Sequence, residues 1–231
     1  LDDSAGILDT GAAYGYVSAL NNAGTIRHTG AGTSTVSVPL HNSGSIDVQA
    51  GGLVFSGGGS FSGSSTLTGD VGLGGGTYVI NSGASIGGAG RLVLQSGNIT
   101  IDGDVSVSNL GMTGGTLSGT GNITATNSFV WTGGTMSGSG KTIVASTAKG
   151  TLLPTYAYLY LARALENAGQ TTLNVSPSGN VIEVGVYGSG SGTISNLAGG
   201  TFTLDESAAI LDGGAYYGYV SALNNAGTLR H

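Results

Sequence analysis

The chain has 231 residues, of which 46 are Gly, 3 are Pro and none is Cys; 8% are charged and the formal net charge is −6. Glycine this abundant without a strict Gly-X-Y spacing excludes collagen, low charge beside many Val, Ile, Leu and Thr argues against disorder, and apolar runs of only a few residues exclude a membrane-spanning helix. Without Cys there is no disulfide framework and no thiolate metal site, and the six Lys and Arg, scattered singly, make no basic stripe for nucleic acid or anionic lipid.

The chain opens with LDDSAGILDTGAAYGYVSALNNAGTIRH at residues 1–28, and residues 204–231 repeat it as LDESAAILDGGAYYGYVSALNNAGTLRH, identical at 23 of 28 positions. Self-similarity at a fixed period is the mark of a repeat architecture. Residues 1–203 are therefore read as one tile and residues 204–231 as the start of the next. The start also lacks the basic and apolar pattern of a signal peptide, as expected of a sequence that begins inside a longer polypeptide. If one tile makes a whole number of coils, Leu204 should share the face of Leu1 about ten rungs higher.

Within the tile, short runs with apolar residues at alternating positions predict strands. Examples in chain order are Ser45 to Gln49, Arg91 to Gln95, Asn98 to Ile101 and Asp104 to Ser108, separated by Gly, Ser and Asn. Asn22-Ala23-Gly24-Thr25-Ile26 recurs as Asn42-Ser43-Gly44-Ser45-Ile46, and Thr113-Gly114-Gly115-Thr116-Leu117 recurs as Thr132-Gly133-Gly134-Thr135-Met136. These offsets predict an all-β solenoid with about 19–20 residues per coil and roughly ten coils per tile, because strands this short bury a face only by stacking on the next coil. Leu20, Ile26, Leu40, Ile46, Val48, Leu92, Leu94, Ile99, Ile101, Val105, Leu117, Ile123, Met136 and Ile143 are the expected inward positions. Asn22, Gly24, Asn42, Gly44, Gly115, Gly134, Asn225 and Gly227 are the expected corners, where Gly supplies positive φ and Asn can bond its counterpart one coil away. Tyr156 to Glu166 contains good helix formers, yet its alternating Tyr predict strand.

This grammar, in Asn42-Ser43-Gly44-Ser45-Ile46-Asp47-Val48 and in Trp131-Thr132-Gly133-Gly134-Thr135-Met136-Ser137-Gly138, resembles the Gly-, Ser-, Thr- and Asn-rich repeats of bacterial surface proteins. These are autotransporter passengers and filamentous-haemagglutinin-like adhesins. The resemblance implies a right-handed parallel β-helix and a structural fibre or adhesin stalk. It also implies an extracellular or cell-surface location on a Gram-negative-type bacterium.

Parallel β-helices also carry polysaccharide lyases and hydrolases, whose sites need several acids and a base in one lateral groove. The densest acidic groups here are Asp2, Asp3 and Asp9, and the pair Asp102 and Asp104. The pair reads as a solvated turn, since an oxygen-ligated cation needs more donors than two carboxylates. His28, His41 and His231 read as exposed strand-end residues. No catalytic residue, cofactor or metal is assigned, and no enzyme activity is expected. The stronger candidates are Tyr14, Tyr16, Tyr156, Tyr158, Tyr160, Tyr187, Tyr217 and Tyr219. Mostly at alternating positions, they could stack on sugar rings or pack against a neighbouring fibre. The expected partners are further copies of the same repeat end to end, covalent or stacked, with lateral fibre or glycan contacts, no nucleic acid and no direct membrane insertion.

Overall fold

The computed structural model describes residues 1, 5–9, 18–155, 158–174 and 181–231. Among them, 27 strands form one parallel sheet wound into a three-faced β-solenoid. The winding follows from the alternation: a strand of three or four residues turns one or two side chains inward, and small residues then take the chain round a corner. On the second face Leu20, Leu40, Gly59, Tyr78, Ile99, Leu117, Met136, Leu161, Val184 and Asp212 lie above one another, ten rungs in all. From Leu20 to Met136 the spacing between successive members agrees with the coil length read from the sequence. Beyond Met136 the steps lengthen, first to Leu161, then to Val184 and most of all from Val184 to Asp212.

The first face carries Val36, Phe55, Leu73, Leu94, Met112, Trp131, Leu152, Leu173 and Leu204 in one column. These columns and their neighbours form one continuous core that includes the fully buried Trp131, Phe55, Phe129 and Phe202. Of the inward positions read from the sequence, Leu40 through Met136 are buried, and Leu20 and Ile26, on the lowest rung, are partly buried against the core. Ile143 is the exception. Thr142 and Val144 take the inward positions above Ile123 and Ala125, and Ile143 turns outward beside Glu166. The segment Lys141–Val144 offers either phase, and Val144 fills the column while the Thr142 hydroxyl contacts Met136 Sδ at 3.4 Å. Within the helix-like segment Leu159–Leu161 and Ala164–Asn167 are strands on consecutive faces, as predicted, and Tyr156 and Ala157 lie outside the described residues.

The duplicated segment does not return to its own face. Leu20–Asn22 lies on the second face, under Leu40–Asn42, whereas its copy Leu223 to Asn225 lies on the third, over Ile194 to Asn196. Thr25–His28 lies on the third face and its copy Thr228–Arg230 on the first. Gly6–Ile7 lies on the first and its counterpart Ile210 on the second. Nine steps up the second-face column lead from Leu20 to Asp212, and Leu223 comes one face later, so one tile spans nine and one third coils. This corrects the expectation that Leu204 shares the face of Leu1. Leu204 is on the first face, while Leu1 lies beneath the third, its amino group donating to Arg27 O at 2.8 Å. The cause is the set of excursions, which add residues without adding strands, so a period counted in residues does not translate into turns.

Candidate functional site

Three features of the surface and corners could carry function, and the first is an asparagine ladder. Asn22 Nδ2 donates to Asn42 Oδ1 at 2.6 Å and to Ser45 O at 3.1 Å. At the other end Asn167 Nδ2 donates to Asn196 Oδ1 at 2.8 Å, and Asn196 Nδ2 to Asn225 Oδ1 at 2.7 Å and to Thr228 O at 3.0 Å. Asn42, Asn167 and Asn196 are buried with these partners, which is the condition under which an amide is tolerated inside an apolar column. Each Asn also donates to a carbonyl two to four residues on, closing its corner.

The corner glycines divide into two kinds. Gly115 and Gly134 have φ of 72° and 92°, the left-handed geometry expected of them. Gly24, Gly44 and Gly227 are not among the positive-φ residues; what Gly44 and Gly227 meet is close approach. A Cβ on Gly44 would collide with Gly24 O, and one on Gly227 with Gly200 O. On Gly24, among the described residues, nothing stands nearer than Asn22 Oδ1 at 4.0 Å.

The second feature is an aromatic edge. The Tyr187 and Tyr217 rings are 4.6 Å apart and Tyr216 and Tyr217 are 5.0 Å apart, on excursions that leave the second face; Tyr216 is 90% exposed and Tyr187 72%. A 3-10 turn, Ala215–Tyr217, with Asp212 Oδ1 accepting from the backbone N–H of Gly214 and Ala215, holds the excursion. Tyr219 is half-buried in the same loop. Tyr158 and Tyr160 form a separate pair with ring centroids 6.0 Å apart, Tyr158 exposed and Tyr160 half-buried. Tyr14, Tyr16 and Tyr156 lie outside the described residues. Tyr216 escapes the sequence reading because the first copy has Ala13 at that position; the difference between the copies is its only signal.

The third is Arg163, a buried cation at the corner after Leu159–Leu161. Its guanidinium donates to Ser137 O at 3.3 Å and Gly121 O at 3.0 Å, tying its own coil to the two beneath. Burial pushes its pKa down to about 10. Nothing in the alternation pattern marks this arginine as inward.

Charged pairs decorate the outside at coil spacing: Arg27 with Asp47 at 2.8 Å, Arg91 with Asp70 at 2.6 Å and Lys141 with Glu166 at 2.7 Å. Hydrogen bonds from Arg27 and Gln49 hold the Asp47 carboxyl below its ordinary range. For Asp70, burial acts upward but the bonds from Arg91 outweigh it, and the pKa is again lowered. Asp102 and Asp104 sit exposed at one corner, and Asp104 accepts from Asn122 Nδ2 at 2.9 Å. Among the described residues no three His, Asp or Glu side chains gather into a group that could hold a metal ion. His28 departs from the exposed reading: it is buried, with its ring nitrogens 3.1 Å from Leu1 O and Gly32 O, because an inward position on the third face falls to it. His41 and His231 are exposed. Comparison with protein-family models, with curated proteins and with solved structures gives no match.

Proposed function

We propose that this chain is a length of a structural extracellular fibre or adhesin stalk, built from tandem solenoid tiles of the kind that residues 1–203 represent and displayed at a bacterial surface of Gram-negative type. The observation that carries the reading is the parallel ladder that runs unbroken through 27 strands while its sequence begins to repeat at residue 204. Such a ladder hydrogen-bonds along the axis, so stiffness is intrinsic and length scales with the number of tiles. A strand edge at the end of such a stack is complementary to a further coil. The route to length is covalent, since the copies differ by small drift such as Asp3 against Glu206 and Ile26 against Leu229. A denaturing gel of the native protein tests this: a mass of several tiles supports it, and a band at the mass of one 231-residue chain overturns it.

A second reading, carbohydrate binding, is favoured by the exposed Tyr187, Tyr216 and Tyr217 rings, whose faces suit stacking on sugars. Glycan-array binding that disappears in the Tyr187→Ala/Tyr217→Ala double variant would support it. The absence of any binding by the unmodified chain would remove it.

A further inference from the structure

The one-face offset of the duplicated segment has consequences for how a second copy of the repeat sits on the first. We propose that consecutive copies are joined through a continuous asparagine ladder and that each copy is rotated by one face relative to its predecessor, so that three copies restore the starting orientation. This rests on the tandem reading above.

The two halves of the junction are both present in this chain. The lower half is Asn167, Asn196 and Asn225, in which the Nδ2 of Asn167 and of Asn196 donates to the Oδ1 of the next Asn up. The upper half is Asn22 and Asn42, bonded in the same direction. Asn225 is the repeat copy of Asn22, so in a longer chain the ladder reads Asn167, Asn196, Asn225, then the next copy's equivalent of Asn42. What Asn225 lacks identifies its partner. Asn22 donates to Gly24 O, Asn42 Oδ1 and Ser45 O, and Asn196 to Gly200 O, Asn225 Oδ1 and Thr228 O, whereas among the described residues Asn225 donates to Gly227 O alone. The two missing acceptors are the next rung's equivalents of Asn42 Oδ1 and Ser45 O. Leu223 and Leu229, 43% and 45% exposed, would likewise gain the cover that Leu40 and Ile46 give their counterparts Leu20 and Ile26.

Rotation follows because the two groups lie on different faces of this chain, Asn22 and Asn42 on the second and Asn196 and Asn225 on the third, and the joined ladder must keep to one face. An occupant seated on Asn225 as Asn42 sits on Asn22 starts one face further round. Everything the repeat displays then moves with it. The Tyr-bearing loop of residues 213–221, at the corner between the second and third faces, recurs at the next corner in the next copy. Nine and one third rungs at ~4.8 Å advance each copy by about 45 Å, and three copies by about 130 Å. A stalk built this way presents its tyrosines on all three edges in turn rather than along one.

Two experiments test this. In this chain, which has no Cys, the outward pairs Ser195→Cys/Asn224→Cys and Glu183→Cys/Leu211→Cys should each oxidise to a disulfide, since they are register partners on adjacent strands. Glu183→Cys/Asn224→Cys should not; closure of that pair alone would overturn the offset. In the native protein, electron cryo-microscopy should show one protrusion per tile stepping round three edges, with Asn columns crossing each junction. Protrusions recurring on one edge at every tile would overturn the rotation even where the gel had supported tandem tiles. A single-tile mass would remove the tandem reading while leaving the disulfide result intact.

Discussion

Residues 1–28 and 204–231 have nearly the same sequence and quite different surroundings. Gly24 faces open space, whereas its copy Gly227 lies hard against Gly200 O. His28 is buried and its copy His231 is exposed, and Leu20 is half-buried where Leu223 is exposed. Among the described residues the first copy is paired with the strands above it and the second with the strands below it. Burial in a solenoid is therefore a property of the rung beneath and the rung above, and sequence determines only which side chains are offered to them. The largest test of this view sets a central coil against an end. Trp131→Ala, with a coil on both sides, should lower unfolding stability by ~3–5 kcal/mol in urea denaturation, against under about 1 kcal/mol for Leu229→Ala on the top rung. Equal losses would mean that end and centre are not distinguished by stacking.

The asparagine ladder sharpens the same contrast. Asn196 is buried between two amide partners, and Asn196→Ala takes from the buried Asn167 Nδ2 one of its three acceptors, leaves Asn225 Oδ1 and Thr228 O without the donor they had and opens a void in the column, an expected loss of ~2–4 kcal/mol. Asn22→Ala, at the lower end, should cost about 1 kcal/mol, since water can replace what Asn42 loses there. Amide hydrogen exchange should show protection falling near Thr201–Leu204 and Thr228–Arg230 in the first variant and only near Leu40–Asn42 in the second.

A smaller effect separates Gly227→Ala from Gly24→Ala. The former must displace the coil below and should cost ~1–3 kcal/mol, while the latter should fall within about 0.5 kcal/mol of the parent in the same melts. This pair also marks how far the sequence can be read. The strands, the coil length as far as Met136, the Asn22–Asn42 step of the ladder and most of the core are legible, because period-two alternation and the steps from Asn22 to Asn42 and from Thr113 to Thr132 register directly in the residues. The offset between copies is not legible: it depends on how many residues leave the ladder at each corner, and excursions such as 185–192 carry no periodicity of their own. Ile143 is misplaced by the pattern because Lys-Thr-Ile-Val supports two phases, and Arg163 because its burial is decided by the distant carbonyls of Ser137 and Gly121. The tyrosine edge is half visible, Tyr217 through alternation and Tyr216 only through its difference from Ala13.

The smallest expected effect concerns the ion pair that one copy makes and the other does not yet complete. Arg27 bonds Asp47 in the rung above at 2.8 Å, while its copy Arg230 lies on the top rung, where the equivalent of Asp47 would come from a following coil. The Asp47 carboxyl is held below its ordinary value of 3.8 in the folded chain by Arg27 and Gln49. Between the folded and unfolded values the unfolded chain binds more protons, so stability rises with pH across that window. The contribution is fully present above the unfolded value and is lost as the pH falls through the folded one. Because the pair is exposed, it is screened, and the effect should shrink further in high salt. Melting temperatures at pH 7 and pH 3 should therefore converge slightly in Arg27→Ala relative to the parent, and Arg230→Ala should leave the difference between the two pH values unchanged. A shift in Arg230→Ala matching that in Arg27→Ala would show that the top rung is already covered in solution, by another molecule bringing its own carboxylate to that site.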